Sequence, residues 1–470
     1  MTKTVATPSA DHDKAVQRAK LPRTLMGNTA AMRRAGEEYL PKEASETAIA
    51  YNNRLKRATL FNAFRKTVSD LVGRVFSKPP QLGADVPTDM VAFAENVDLT
   101  GRHFDVFARD GFFDSLQTGI GYILVDAHRA VSRTDGLPPT LADYKRAGWR
   151  PYLIYIPLER LIGWKSQEIG GVETLTQVRI KESVTVADGD YDEKEVEQIR
   201  VLSPGRWETW RKSETKGEEW VLYEEGTTSL TRIPLAPIYI NRTGFMTGEP
   251  PLQDLADQNV AHWQSQSDQR NILHVARVPI LFGTGIAEDS VLEIGASSMV
   301  RNSNPAATLQ YVEHSGSAIG AGNVDLKNIE YQMQVAGLQL LIPNPGQTAT
   351  GEIRDDAKEL SSLAQMAAAL KDALEQAFGF MAEFQGLGLD AGGSILVNND
   401  FGVTGRMGDV QYLTQAVLAG KLDDQTYLEE LKRRGALGDS VDVDVVLHRI
   451  DTASPQLDGP PMDLHAGHSH

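Results

Sequence analysis

With 470 residues and a mass of 51.5 kDa, the chain has the length of about three domains. At 41% hydrophobic and 23% charged residues the composition is globular, which excludes a disordered or fibrous protein. Forty-seven basic against 63 acidic residues give a net charge of −16, which argues against a broad basic surface that grips nucleic acid but not against a protein that lets it pass.

Cysteine is absent, so disulfides, thiolate zinc sites and a cysteine nucleophile are excluded together. Packing and association alone must hold the fold, which suits a reducing compartment or an assembly fastened by subunit interfaces. The segment from Met1 to Lys20 is polar and lacks the apolar core of a signal peptide. No stretch reaches the roughly 18 apolar residues of a membrane helix. The expectation is a soluble, cytoplasmic protein with no membrane partner.

Residues 1–24, rich in Thr, Ala, Asp and Lys, read as a flexible arm. From Ala48 to Phe76 apolar residues recur at helical spacing, with Arg54, Lys56, Arg57, Arg65, Lys66 and Arg74 among them, until Pro79-Pro80 stops the helix. A second helix is expected from His103 to Thr118, and Gly119–Gly121 turns it into a strand, Tyr122–Asp126. Between Arg150 and Asn241 short runs bounded by turn residues predict strands at Tyr152–Ile156, Leu175–Ile180, Gln198–Leu202, Arg206–Arg211, Trp220–Tyr223 and Ile238–Asn241. All six tryptophans lie in or near this region, where they are expected to anchor a β core.

Pro250 and Pro251 are expected to open a helix that runs to about Ala276. Its middle is polar nearly all round, from Gln258 and Asn259 through His262 and Gln264 to Asn271. Such a helix does not form the core of a monomer; it bridges solvent or packs against copies of itself. Residues 277–319 read as a mixed insert with strands Val278–Phe282 and Thr308–Val312, Pro279 implying an edge. A helix over Asn323–Leu341 follows, with Leu326, Ile329, Met333, Ala336 and Leu340 on one face. An uncharged loop, 342–351, then leads into a long helix from Glu352 to about Leu387 with a kink expected at Gly379. A strand at Ser394–Val397 and helices Gly408–Ala419 and Asp423–Arg434, with Asp423 or Asp424 as N-cap and Gly435 just past the end, close the fold before a tail.

Motifs for catalysis are missing. Gly420-Lys421 lacks the upstream glycine loop of a phosphate-binding Walker motif, and neither His-Glu-x-x-His nor Gly-x-Ser-x-Gly occurs. Asp188, Asp190 and Asp192 imitate the first calcium ligands of an EF-hand, but the glycine and the bidentate acid fall on Glu193 and Ile199, so a solvated acidic hairpin is the better account. Ser315–Gly322 has the composition of a phosphate cradle without its strand–helix context and reads as a flexible joint. His465, His468 and His470 lie in the tail. No cofactor, no metal and no enzymatic activity are implied. A hydrolase or transferase on the β-rich region would need a pocket of convergent ionisable groups, which is not expected there.

The order of elements, together with Ala50–Pro80, Pro250–Gly285 and Thr348–Leu387, resembles the portal (head-to-tail connector) proteins of tailed bacteriophages. More narrowly it resembles the portal-like group once catalogued only as a domain of unknown function. The resemblance implies an α+β portal fold: a β-rich wing (25–249), a two-helix stem (250–276 and 323–341), a small mixed clip (277–322), a tunnel loop (342–351), a long wing helix (352–387), a helical crown (388–447) and a disordered tail (448–470). It implies a homo-oligomeric ring of about twelve subunits at one capsid vertex, in the virion and, during assembly, in the host cytoplasm. The implied partners are double-stranded DNA passing through non-specifically, the terminase large subunit, the major capsid protein and scaffold, and a head–tail adaptor. The tunnel loop brings Asn344, Gln347, Thr348 and Thr350 to the DNA. Between adjacent stems, Arg270, Arg277 and Lys327 balance Asp268, Asp325 and Glu330, with Gln264 beside them. The alternative is another ring of the virion, such as a head–tail adaptor or a minor capsid protein.

Overall fold

The computed structural model describes residues 3–127, 140, 143, 146–213, 219–277, 280–285, 304–312, 317–338, 362–399, 407–433, 437 and 441–453. They fall into two compact units, 1–399 and 400–470. The first begins with a helix rather than a loose arm. Helix α1 (Ala10–Met26) is capped by Ser9, whose side chain accepts from the His12 N–H, and buries Ala15, Ala19 and Leu25. The stripe is narrow because two of its members are alanine, and the polar composition around it hides the period. Arg23 fastens the helix. Its guanidinium donates to both oxygens of Asp114 at 2.5 and 2.9 Å and to Glu159 at 2.7 and 3.1 Å. Burial opposes the Arg23 charge, but the Asp114 and Glu159 hydrogen bonds outweigh it and raise its pKa. Even residues before α1 are held, since Arg179 donates to the carbonyls of Val5 and Thr7.

The helix expected over 48–76 is two helices, α3 (Ala48–Arg57) and α4 (Ala63–Val75), following the short α2 (Asn28–Ala35). The break is chemical. Ala58 is extended, its carbonyl taken by Arg33, and Asn62 caps α4 by accepting from the Arg65 N–H. The same Asn62 donates to the carbonyl of Leu25, tying the break to the end of α1.

A short helix α5 (Thr88–Phe93) precedes α6 (Phe104–Thr118), which starts one residue after the expected His103, the N-cap, and ends at Gly119. Gly119 has φ +85°, and a Cβ there would lie 2.0 Å from the carbonyl oxygen of Glu249, so only glycine fits. The chain then enters β2 (Ile120–Ala127), preceded in sequence by the two-residue β1 (Gln81–Leu82). β2 is the middle strand of an antiparallel sheet, between β3 (Pro151–Ile156) and β9 (Leu235–Tyr239). A long helix, Ser362–Phe384, packs on this sheet; it passes through Gly379, where a Cβ would meet the carbonyl of Leu389 at 2.7 Å. Residues 352–361 of the expected helix lie outside the described residues. The strand expected at 394–397 is β14 (Ile395–Leu396), paired with β1.

The second sheet is a five-stranded antiparallel meander: β4 (Leu161–Ile169), β5 (Val172–Ala187), β6 (Glu193–Ser203), β7 (Arg206–Lys212) and β8 (Trp220–Thr227). β4 has no counterpart in the sequence reading, and β5 is more than twice its expected length. Gly170-Gly171, both at positive φ, make the tight β4–β5 hairpin, and Pro204-Gly205 the β6–β7 turn. The acidic Asp188–Asp192 segment is the β5–β6 hairpin tip, closed by the Asp188 N–H on the Asp192 carbonyl at 2.7 Å. Leu161, Val178, Ile180 and Leu202 from this sheet join Tyr122, Leu124, Ile156 and Leu235 from the first in one core. Trp164 and Trp207 pack on that core, and Trp210 and Trp220 on a smaller one around Ile199. Trp263 departs from expectation: it is fully buried, but on a helix.

The remaining strands of this unit are two antiparallel pairs. One is β10 (Arg242–Gly244) with β11 (Thr247–Gly248); the other is β12 (Ile280–Thr284) with β13 (Thr308–Val312). Val278 and Pro279, expected in the first strand of the insert, lie outside the described residues.

The helix pair completes this unit: α7 (Gln253–Ala276), beginning two residues after Pro251, and α8 (Ser317–Leu338). α8 starts inside the segment read as a flexible joint, so the boundary expected at 322 falls within a helix. Gly322 is the reason: a Cβ there would lie 2.1 Å from Oε1 of Gln269, so the glycine lets α7 and α8 approach. The helix over 362–384 is α9. The second unit holds α10 (Met407–Leu418), α11 (Asp424–Arg433) and α12 (Val443–Ala453), the last falling across the expected start of the tail. Asp423 precedes α11 and accepts from the Thr426 N–H and hydroxyl at 3.0 and 2.7 Å, which hold its carboxyl below the usual range. Gly435 lies outside the described residues.

Candidate functional site

α7 carries the polar run that sets this sequence apart, and its polar side chains resolve into separate stripes. Toward α8 point residues 262, 265 and 269, spaced three and four apart. His262 Nε2 lies 3.3 Å from Glu330, Ser265 donates to Asp325 at 2.7 Å, and Gln269 donates to the Ile319 carbonyl at 2.9 Å and to Asn323 at 3.3 Å. Toward the N-terminal helices point 264, 268 and 271. Gln264 donates to the Tyr39 carbonyl at 3.0 Å, Asp268 meets Arg54 at 3.4 Å, and Asn271 accepts from Arg57 at 2.9 Å.

Asn259 faces the break between α3 and α4. It is fully buried, accepts from the Phe64 N–H at 3.0 Å and donates to the Phe61 carbonyl at 2.8 Å. It thereby satisfies one of the orphan donors at the start of α4. A turn further on, Trp263 is enclosed beside Leu255 and Ala256, which are equally buried. The helix thus buries one side, from Leu255 to Gln269, against its own chain, more than its composition suggests, while Asp254, Asp257, Asp268, Arg270 and His274 stay exposed. Many of its polar groups find backbone groups and opposite charges as partners, but Gln253 Oε1, His262 Nδ1, Trp263 Nε1, Gln266 Oε1 and Ser267 Oγ are buried without one among the described residues.

Arg54 is the strongest of these partners. It is buried and donates to Glu46 at 2.8 and 2.9 Å and to the Pro41 carbonyl at 2.7 Å. The Glu46 hydrogen bond raises the Arg54 pKa, and the same bond holds Glu46 below the usual carboxylate range. Asp268 goes the other way: burial raises its pKa against the pull of Arg54.

The expected site residues thus divide. Gln264, Asp268, Asp325 and Glu330 have partners within the chain. Arg270, Arg277 and Lys327 are exposed and form no ion pair among the described residues. On α7, Arg270, His274 and Arg277 are exposed four and three residues apart, on the C-terminal half of the helix. Asn344, Gln347, Thr348 and Thr350 lie outside the described residues.

What the sequence reading missed is the outer face of α8. Val324, Tyr331, Val335 and Leu338 are 58, 68, 43 and 51% exposed. Steps of seven, four and three residues keep them on one side of the helix, while Leu326, Ile329 and Met333 take the side toward α7 and α4. The stripe extends about 21 Å at 1.5 Å per residue. Both sets recur at helical spacing in the sequence, but only the structure shows which set is covered.

Among the described residues no helix is long and apolar enough to cross a membrane, and no group of three potential metal ligands is found.

Residues 251–385, which contain α7, α8 and α9, match the model of a family described as a domain of unknown function, DUF4055. No curated protein sequence matches the chain. Distant likenesses occur among solved structures. A chain of the virion of the native gene transfer agent particle is 13% identical over 87% of this chain and 93% of that one, with a TM-score of 0.39. A chain from the neck of the empty gene transfer agent particle, computed with C6 symmetry, is 13% identical over 79% of this chain and 90% of that one, with a TM-score of 0.41. One from the neck of the native particle, computed with C12 symmetry, is 13% identical over 87 and 93%, with a TM-score of 0.40.

Proposed function

We propose that this chain is the portal of a tailed-phage-like particle: about twelve copies close into a ring, and double-stranded DNA passes through its bore during packaging and ejection. The observation that carries the reading is the bare apolar stripe on α8. Four large apolar side chains in line on the solvent side of a helix that, among its described residues, buries only Met333 and Gly337 mark an interaction surface, and in a homo-oligomer the neighbour that covers them is another α8 or α7. Arg270 and Arg277 add two exposed cations on the C-terminal half of α7. The resemblance of element order and of the three stretches supports a portal over other ring proteins, and the family match falls on the helix pair.

The electrostatics suit a conduit. A net charge of −16 per copy amounts to roughly −190 over about twelve, a field that keeps a polyanion off the wall. Each lysine or arginine bound to phosphate would add counterion-release free energy and trap the DNA. Asn344, Gln347, Thr348 and Thr350 make hydrogen bonds without fixed charge, which lets the duplex slide. In this reading the protein is not an enzyme. The packaging motor supplies the work, docking with the terminase large subunit at the clip, and the head–tail adaptor later takes the same end.

Negative-stain microscopy of the purified chain tests the ring: a perforated disc with a mass many times 51.5 kDa is expected, and a monomer or dimer overturns the reading. Gln347→Lys with Thr348→Lys tests the conduit. Rings should still form while packaging slows or stalls; unchanged packaging would mean that this loop does not face DNA.

A further inference from the structure

β5 and β6 outrun their sheet. β4 pairs with β5 only as far as Ile180, and β7 with β6 only as far as Gln198, so Lys181–Glu197 is a two-stranded arm whose outer edges pair with no described strand. Seven residues of β5 carry it about 23 Å outward. Between Asp188 and Glu195 it holds five carboxylates and one lysine. At its tip Tyr191 is 99% exposed, an aromatic ring with no cover from its own chain.

The same chain offers a cleft of mixed charge, lined by five arginines and by the carboxylates of Asp89, Asp126, Glu224 and Glu383. It has a volume of about 1680 Å³, is floored by one face of the five-stranded sheet and is walled by the end of β2 and the C-terminal turn of α9. Two of its arginines, Arg150 and Arg211, form no ion pair among the described residues, and a third, Arg232, forms only a long one. Arg211 gives Nε and Nη2 to the amide oxygen of Gln198, both at 3.1 Å, and stacks 3.6 Å from the Tyr223 ring centre. Arg232 comes no nearer than 4.0 Å to Glu383. Arg150 donates to the backbone carbonyls of Phe93 and Asn96, and burial holds its pKa below the usual value. Trp149 and Trp207 supply aromatic wall between them.

We infer that the cleft takes the β5–β6 tip of a neighbouring copy, with the carboxylates of Asp190 and Asp192 against Arg211 and Arg232 and the Tyr191 ring between the tryptophans. The match is one of local charge: an acidic, tyrosine-tipped finger meets the Arg211 and Arg232 side of the cleft and its indoles, away from carboxylates that already pair, such as Asp126 with Arg200. Guanidinium–carboxylate pairs in such a cleft are short and directional. The contact is heterologous, tip of one copy to cleft of the next, and a heterologous contact repeated around an axis closes a ring. The inference rests on the ring reading above and adds a second contact to it, remote in sequence from α8.

The chain has no cysteine of its own, which makes a disulfide test clean. Tyr191→Cys combined with Ser229→Cys, a small residue at the cleft wall, should give on mild oxidation a covalent ladder running from dimer up to the full ring. Either single variant should stop at dimer. Adding Arg211→Glu and Arg232→Glu to the pair should lower the ladder at least fivefold at low salt. Rings seen by microscopy with no ladder overturn the tip-in-cleft contact and leave the ring standing. A disulfide within one chain, identified by peptide mass, also overturns it, and a ladder indifferent to the two charge reversals overturns its electrostatic basis. A wild-type chain that scatters light as a monomer overturns the ring and this contact together.

Discussion

α7 and α8 lie side by side and break the rule of apolar-inside in opposite directions. α7 is polar through its middle, yet Asn259, His262, Ser267 and Gln269 are buried. α8 is the more apolar helix, yet Val324, Tyr331, Val335 and Leu338 face outward. The difference lies in who supplies the partner. Around α7 part of the partnership comes from the same chain: a broken helix with free backbone groups at 61–64, Arg54 and Arg57 on α3, and the polar side chains of α8; His262 Nδ1, Trp263 Nε1, Gln266 Oε1 and Ser267 Oγ are buried without a hydrogen-bond partner among the described residues. Around the outer face of α8 no described residue supplies one. Polarity alone therefore does not locate a subunit interface; the surface left over after the chain has satisfied itself does.

The comparison breaks first at Trp263. If α7 is interior, Trp263→Ala opens a cavity and should cost about 3–5 kcal/mol, visible as a large fall in the denaturant midpoint. If α7 were the exposed, self-associating helix its composition suggests, the loss of stability would be small and the loss of assembly large. Asn259→Ala should follow at roughly 2–3 kcal/mol, because it strands two buried backbone groups, the Phe64 N–H and the Phe61 carbonyl.

These two residues also mark where the sequence stops being legible. Most strands of the strand-rich stretch, α6 and its glycine stop, the acidic hairpin and the described part of α9 follow from local period and turn chemistry; β4 and the full length of β5 do not. α1 was hidden because a stripe of Ala15, Ala19 and Leu25 is too thin to stand out among charges. The break at 58–62 was hidden because apolar spacing continues through it; what stops the helix is Asn62 capping α4 and Arg33 taking the Ala58 carbonyl. The inward role of Asn259 was unreadable for a deeper reason. Its partners are main-chain atoms 195 and 198 residues away, which no side-chain pattern records. The α8 stripe was present as a pattern, but which of two helical faces is covered is a property of the neighbours.

Sharper but smaller in folding energy are changes on α8. Tyr331→Asp or Val335→Asp should alter the stability of the isolated subunit by no more than about 0.5 kcal/mol, as exposed positions do, while abolishing rings in size-exclusion chromatography. A variant that keeps its rings would move the subunit contact off α8. One that loses stability as α7 variants do would mean that the stripe is covered within the chain.

The smallest expected effect lies where α7 meets Arg54, between two acids treated differently. Glu46 forms two hydrogen bonds to the guanidinium and titrates below its usual range, whereas Asp268, its side chain 59% exposed, touches it at 3.4 Å and titrates above, partial desolvation and the nearby Glu43 and Glu46 charges outweighing the attraction. A carboxyl whose folded-state pKa is raised binds its proton more readily in the native state. Its contribution is therefore most favourable below the ordinary carboxylate pKa and declines as pH rises through the raised value. Asp268→Asn, which imitates the protonated form, should slightly raise the melting temperature at pH 7 and have no effect below the ordinary carboxylate range. Glu46 runs the opposite way, its contribution being present at neutral pH and lost as pH falls through its lowered value. Melting curves of Asp268→Asn at the two pH values decide the point: a fall at pH 7 would show that the Arg54 contact outweighs the partial desolvation of Asp268 and its repulsion by Glu43 and Glu46.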